Sequence, residues 1–147
     1  MQLVGVSHPN PARTEEFRAI DLKSGLEAVA AAAQAAIKHF VYVSVAHPAP
    51  IMKAYIQARV EVEETIRASG LHATILRPLY VLGPGRRWPY LIMPVYWILR
   101  IFPRTRDSAL RLGLVTRDQM RSALTQAIEN PSTGIRVLEV PQIRSSA

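Results

Sequence analysis

Between Phe40 and Pro84 the apolar positions follow two different periods. Phe40-Val41-Tyr42-Val43 is an unbroken apolar run that ends in Ser44, the pattern of a central parallel strand covered on both faces. Ile51, Ala54, Tyr55, Ala58, Val62, Thr65 and Ile66 then recur three and four apart, which predicts one buried stripe on a helix. Pro50 suits the first turn of that helix and Gly70 its C-terminal cap. Glu61, Glu63 and Glu64 are expected mainly on its solvent side. A second apolar run, Ala73 to Leu76, leads into the loop Arg77-Pro78-Leu79-Tyr80-Val81-Leu82-Gly83-Pro84-Gly85. Strand, helix and strand in this order make one crossover unit of a parallel sheet. Its polar groups gather at the carboxyl ends of the strands, where open α/β sheets keep their ligands.

The flanking stretches extend the same plan. Leu3-Val4-Gly5-Val6 is a short apolar run closed by the turn cluster Ser7-His8-Pro9-Asn10-Pro11. Ser24-Gly25-Leu26-Glu27 has the residue types of a capping box, and Leu26, Val29, Ala30, Ala33 and Ile37 continue at helical spacing to about His39. Thr116 and Gln119 form a second such box, with Val115 and Met120 as its hydrophobic staple. Met120, Ala123, Leu124, Ala127 and Ile128 mark the helix that follows, and Ile135 to Val140 a last strand. The order β-α-β-α-β-(helical insert)-α-β predicts an α/β fold with a parallel sheet between helices.

At 147 residues the chain fits one domain. It has no cysteine, which excludes disulfides, thiolate metal sites and a thiol nucleophile. Met1 to Val6 has neither a basic n-region nor a long apolar h-region, so a cytoplasmic location is expected. The formal charge of +7 arises wholly in the second half: residues 1–73 hold seven basic and seven acidic side chains, residues 74–147 eleven and four. The most apolar stretch, Trp88 to Phe102, is flanked by Arg86, Arg87, Arg104 and Arg106 and contains Pro94 and Arg100. It is shorter than the roughly 20 residues needed to span a bilayer.

Candidate chemistry centres on Tyr55. A phenol titrates near pH 10, and a cation one helical turn away favours its ionised form and lets it act as an acid or base. Arg59 stands four residues on, on the same helix face. Ser44, at the carboxyl end of the adjoining strand, is placed to align a substrate oxygen with Tyr55. His8, His39, His47 and His72 lack metal-ligand spacing and are expected to be structural or exposed, with no metal site.

These residues resemble a known pattern. Ser44, Tyr55-Ile56-Gln57-Ala58-Arg59, Leu76-Arg77-Pro78, Gly83-Pro84-Gly85 and Val115-Thr116-Arg117-Asp118 follow in the order and approximate spacing of the short-chain dehydrogenase/reductase superfamily, specifically its extended and atypical branches of epimerase-like and NmrA-like proteins. The likeness runs from the fourth strand of that fold to its end. It implies the C-terminal portion of a Rossmann-type, doubly wound parallel sheet. Residues 1–147 would be a single partial NAD(P)-binding domain, with 86–114 as an apolar substrate-lobe insert. It further implies NAD or NADP as cofactor and a small carbonyl or hydroxyl substrate, to be oxidised, reduced or epimerised. Tyr55 would be the acid/base, Arg59 the cation that holds the nicotinamide ribose and tunes the tyrosine, and Ser44 the substrate-oxygen partner. Pro78 and Val81 would lie beside the nicotinamide.

Two departures qualify the resemblance. Arg59 stands where the family has lysine, and its planar fork alters the ribose contact. No Gly-x-x-Gly-x-x-Gly occurs among the 147 residues, so the loop that brings backbone amides to a pyrophosphate is lacking. The expectation is weak or no dinucleotide binding, and no turnover, by these residues alone. The alternatives are a non-catalytic dinucleotide sensor or scaffold, and a peripheral membrane or respiratory-complex accessory protein that meets headgroups through residues 86–106. Self-association or a partner chain is expected at the exposed Leu3–Val6 sheet edge, and nucleic acid is not an expected partner.

Overall fold

A computed structural model describes residues 17–47, 53–82 and 113–146. The expected Leu3–Val6 strand, the Gly83-Pro84-Gly85 turn and the Trp88–Phe102 stretch lie outside the described residues. Within them, a π-helical segment, Phe17–Leu22, runs directly into α1, Lys23–Gln34. There follow β1, Phe40–Val43; α2, Lys53–Ala68; β2, Ala73–Arg77; β3, Tyr80–Leu82; β4, Leu114–Thr116; α3, Arg117–Glu129; β5, Ile135–Glu139; and α4, Val140–Ser145.

β1, β2 and β5 form a parallel sheet in that spatial order, with Phe40 opposite Ala73 and Ala73 opposite Ile135. Among the described residues the central strand is therefore β2, and β1, expected as central, pairs only with β2. Both faces of the sheet are nevertheless covered. Alternation along each strand sends Phe40, Tyr42, Ala73 and Ile75 into a core with Val29 and Ala32 of α1 and Ala58, Val62 and Ile66 of α2. Val41 and Leu76 point the other way, into a core with Met120, Ala123 and Ala127 of α3 and Val140 and Ile143 of α4. A fully buried Ile or Leu in such a layer contributes roughly 1.5–3 kcal/mol relative to exposure. The fold is the α/β class expected from the sequence, with helices on both sides of a parallel sheet.

Several local expectations are corrected. Ser24 does not cap a helix: Leu22 precedes α1 in helical backbone geometry and no side-chain cap forms, because the π-helical segment feeds the helix without a break. The buried face of α1 is Gly25, Val29 and Ala32, while Ala30 and Ala33 are exposed and Ile37 lies beyond the helix end. Gly25 sets that rotation. A Cβ there would come within 2.5 Å of Val62 Cγ2, so the glycine is what lets α1 close on α2. The stretch expected as a loop after Arg77 contains β3, which pairs in parallel with β4 as a separate two-stranded sheet. The last strand stops at Glu139, and Val140 opens α4 with Pro141 in its first turn.

At α3 the capping box forms as expected: the Gln119 amide donates to Thr116 Oγ1 at 3.2 Å, and the Thr116 amide donates to Gln119 Oε1 at 3.0 Å. Gly70, at φ +73°, follows α2. None of the helices among the described residues is long and apolar enough to cross a membrane.

Candidate functional site

The crossover from β1 to α2 builds the site. Strand-like pairing continues past β1, with the Ser44 amide donating to the Leu76 carbonyl at 2.8 Å and the Ala46 amide to the Pro78 carbonyl at 3.0 Å. This pairing carries Ser44 along the wall beneath α2. On α2 the side chains of Tyr55, Arg59, Glu63 and Arg67 are successively four apart and share one face. Tyr55, in the first turn, stands nearest the carboxyl end of β1 and is half-buried.

Arg59 is only 5% exposed. Its Nη1 donates to the Val43 carbonyl at 3.0 Å and to the Tyr42 hydroxyl at 3.4 Å, and its Nη2 donates to Asp21 Oδ1 in a short buried ion pair. Its guanidinium carbon lies 5.3 Å from the centre of the Tyr55 ring and 5.8 Å from that of Tyr42. Burial alone would lower the Arg59 pKa, but Tyr55, Tyr42 and Asp21 outweigh it and hold the guanidinium charged. Burial raises the Tyr42 hydroxyl above its ordinary value, and Arg59 opposes this only in part. A buried ion pair repays its desolvation more fully the more of its donors are satisfied, and the two Nη atoms of Arg59 serve three acceptors at once.

One turn further along, Glu63 is fully buried, which corrects its expected place on the solvent side. The reason is Arg77. Its Nε donates to Oε1 at 3.0 Å and its Nη2 to Oε2 at 2.5 Å, the two-pronged geometry that planar guanidinium allows. Arg67 adds contacts of 3.3 Å to Oε2 from both Nη atoms, and Arg77 also lies 3.7 Å from Glu139 Oε1. Burial would raise the carboxyl's pKa, but the hydrogen bonds from Arg77 and the nearby positive charges prevail and lower it.

The expected site residues thus separate. Tyr55 and Arg59 are in contact. Ser44 is 4% exposed, and its hydroxyl is buried without a hydrogen-bond partner among the described residues. Pro78 is buried at the end of β2 and contributes its carbonyl to Ala46. Val81, on β3, is 37% exposed. Three participants were not anticipated: Asp21, Tyr42 and Glu63. For Glu63 a signal existed, since it stands four residues after Arg59 on the stripe that carries Tyr55. Nothing near Asp21 in sequence points to Arg59.

The other polar cluster lies at the opposite end of the sheet. Thr74 Oγ1 sits 3.0 Å from His39 Nε2, receives Arg136 Nε at 3.2 Å and neighbours Ser132 Oγ at 3.4 Å. His72 Nδ1 accepts from the Gly134 amide at 2.8 Å. These bonds tie the amino ends of β1, β2 and β5 together. Among the described residues no group of three His, Asp or Glu side chains is arranged to hold a metal.

No family model and no curated protein sequence matches the chain. Solved structures do. The chain is similar to the UDP-glucuronic acid 4-epimerase of Bacillus cereus in complex with NAD, with a TM-score of 0.62 and 13% identity over 93% of this chain and 51% of that one. The Bordetella bronchiseptica enzyme WbmG in complex with NAD matches with a TM-score of 0.59 and 15% identity, over 92% of this chain and 48% of that one. WbmH of the same organism, in complex with NAD+, matches with a TM-score of 0.50 and 19% identity, over 93% and 62%. The chain spans roughly half to three-fifths of these proteins' lengths, and at such identities the likeness establishes a shared fold.

Proposed function

We propose that these 147 residues carry the nicotinamide-side part of an NAD(P)-binding site of the short-chain dehydrogenase/reductase type. The corresponding activity is that of an oxidoreductase or epimerase acting on a small carbonyl or hydroxyl compound. By themselves the residues bind dinucleotide weakly and do not turn over. The observation that carries this reading is the stacking of Arg59 beneath the half-buried ring of Tyr55, at the carboxyl end of β1. The fold shared with three proteins crystallised with NAD supports it.

The residues present fit a nicotinamide nucleotide in part. Tyr55 and Val81 are accessible enough to meet one. Arg59 does not fit as a ribose ligand, because its donors are turned into the protein toward Val43, Tyr42 and Asp21. When bound, such a cofactor would supply hydride exchange with a carbon of the substrate. The part left to this chain is proton transfer: the Tyr55 hydroxyl gives a proton to the substrate oxygen or takes one from it. Ser44 and Glu63 shape the wall behind it.

A ligand series tests this. Nicotinamide mononucleotide and NADH, added at millimolar concentration to isotope-labelled protein, are expected to shift the Tyr55 ring and Val81 methyl resonances with similar affinities. AMP is expected to shift neither, because no glycine-rich loop is present to hold an adenylate. Specific binding of AMP, or no response of Tyr55 and Val81 to either nicotinamide compound, would overturn the reading.

A further inference from the structure

We propose that Asp21 is a positioning residue for Tyr55: it locks the Arg59 guanidinium inside the wall, so that the cation serves the face of the tyrosine and not a nucleotide ribose. The first part stands on geometry alone, and the second rests on the functional reading above.

The case begins with the shape of the guanidinium. A lysine ammonium is a compact charge on a flexible stem, able to swing between a tyrosine and a ribose. Arginine's donors diverge in one plane. Here Nη1 is used by the Val43 carbonyl and the Tyr42 hydroxyl, and Nη2 by Asp21. The groups come from β1 and from the π-helical segment, while Arg59 itself stands on α2, so one side chain joins three elements. With those bonds made, the guanidinium has one face left for Tyr55, and its carbon sits 5.3 Å from the ring centre. That distance lies within the range of an attractive cation–π contact.

Asp21 decides the outcome. It is 1% exposed, 38 residues from Arg59 in sequence, and brings the only full negative charge that the described geometry places on Nη2. Without it, Nη2 loses this anionic partner, and the bonds to the Val43 carbonyl and the Tyr42 hydroxyl hold only the Nη1 side of the fork. The guanidinium would then gain freedom to rotate out of the wall, and the Tyr55 ring would lose the surface it rests on. The π-helical turn itself belongs to this arrangement, since Asp21 sits within it two residues before α1 begins.

Nuclear magnetic resonance of the ligand-free chain is the deciding experiment. In the wild type, separate and slowly exchanging Arg59 Nη–H signals are expected, as for a guanidinium whose rotation is blocked. In Asp21→Asn these signals should merge and the Tyr55 ring resonances should move, while amide shifts in β2 and β5 stay in place. Rotationally averaged Arg59 signals in the wild type, or an Asn variant with both Arg59 and Tyr55 unchanged, would overturn the proposal. If D21N does not fold, the wild-type measurement decides by itself. Addition of nicotinamide mononucleotide separates the two claims. A shift of the Arg59 side-chain signals would overturn the exclusion of the ribose, whereas locked Arg59 signals with no response at Tyr55 would sink the functional reading and leave the clamp intact.

Discussion

Glu63 and Arg77 are joined by two hydrogen bonds, Nε to Oε1 at 3.0 Å and Nη2 to Oε2 at 2.5 Å, with the carboxylate wholly out of contact with solvent. This pair fastens the middle of α2 to the carboxyl end of β2, the strand at the centre of the described sheet. The site's wall depends on it, because Glu63 stands one turn after Arg59 on the helix face that carries Tyr55.

Removing one partner of a buried pair leaves an uncompensated charge, typically at a cost of about 3–5 kcal/mol. Arg77→Met should therefore destabilise the fold by about 3 kcal/mol near neutral pH, the lower end because Arg67 still reaches Oε2. The loss has a definite pH dependence. The folded pKa of Glu63 lies below its usual 4.5, so its contribution is complete above that value and disappears as pH falls through the folded one. Urea unfolding at pH 7 and at pH 3 should show a larger difference between wild type and R77M at the higher pH. Equal differences at both would contradict the assignment.

His39 acts at a higher pH. Burial, the charge of Arg136 and His72 together lower its pKa from 6.5. The groups that face it are Thr74, Ser132, Arg136 and His72, none of which can stabilise an imidazolium by charge. The unfolded chain then binds the proton more readily than the folded one. Stability is complete above about pH 6.5 and declines as pH falls toward the folded value. A His39→Gln variant keeps an acceptor for Thr74 but cannot titrate. Its urea midpoint should change less between pH 7.5 and pH 5 than that of the wild type.

How much of this was legible depended on length and on distance along the chain. α2 and α3 announce themselves because each is long enough to show a period, β1 and β2 because each is an apolar run, and the Thr116–Gln119 box because capping is a local event. β3 and β4, three residues each, are too short to carry a pattern, and their pairing joins segments more than thirty residues apart. Ser24 to Glu27 has the right residues for a cap and yet no cap forms, since the preceding residues are already helical. In the site, Tyr55 and Arg59 were readable as neighbours on one helix face. The partners that orient Arg59 were not, because an ion pair across 38 residues leaves no spacing rule. Glu63 was obscured by Glu61 and Glu64 beside it, which make the segment look like a solvated face.

The end of α1 holds a correctable fault. Ala36 has φ +49°, and around it the Ile37 amide donates to the Ala32 carbonyl at 3.1 Å and the Ala36 amide to Ala33 at 3.1 Å. This is a Schellman-type stop with alanine where glycine is favoured. A left-handed conformation costs an L-residue roughly 1–2 kcal/mol, and glycine's greater freedom in the unfolded chain returns part of that. Ala36→Gly should stabilise the protein by about 0.5–1 kcal/mol. Ala36 is exposed, so the change disturbs no packing, and a fall in the thermal midpoint would refute the account.

Gly25 presents the opposite situation. Its backbone angle is not what matters; its missing side chain is. A Cβ at this position would stand 2.5 Å from Val62 Cγ2 and 3.0 Å from Cγ1, both closer than real Cβ contacts allow. Val62 is fully buried between α1 and the sheet and cannot swing aside without displacing its neighbours. Gly25→Ala should thus cost about 1–3 kcal/mol through overpacking, despite alanine's better helix propensity. If steric crowding is the cause, Val62→Ala in the same chain should relieve it, so that the double variant loses less than the sum of the two single ones. Because α1 also carries the π-helical segment and Asp21 against α2, the G25A helix shift should disturb the Arg59 side-chain resonances as well. A G25A variant as stable as wild type, or strict additivity with V62A, would show that the two helices have room between them and that the close approach does not hold Asp21 in place.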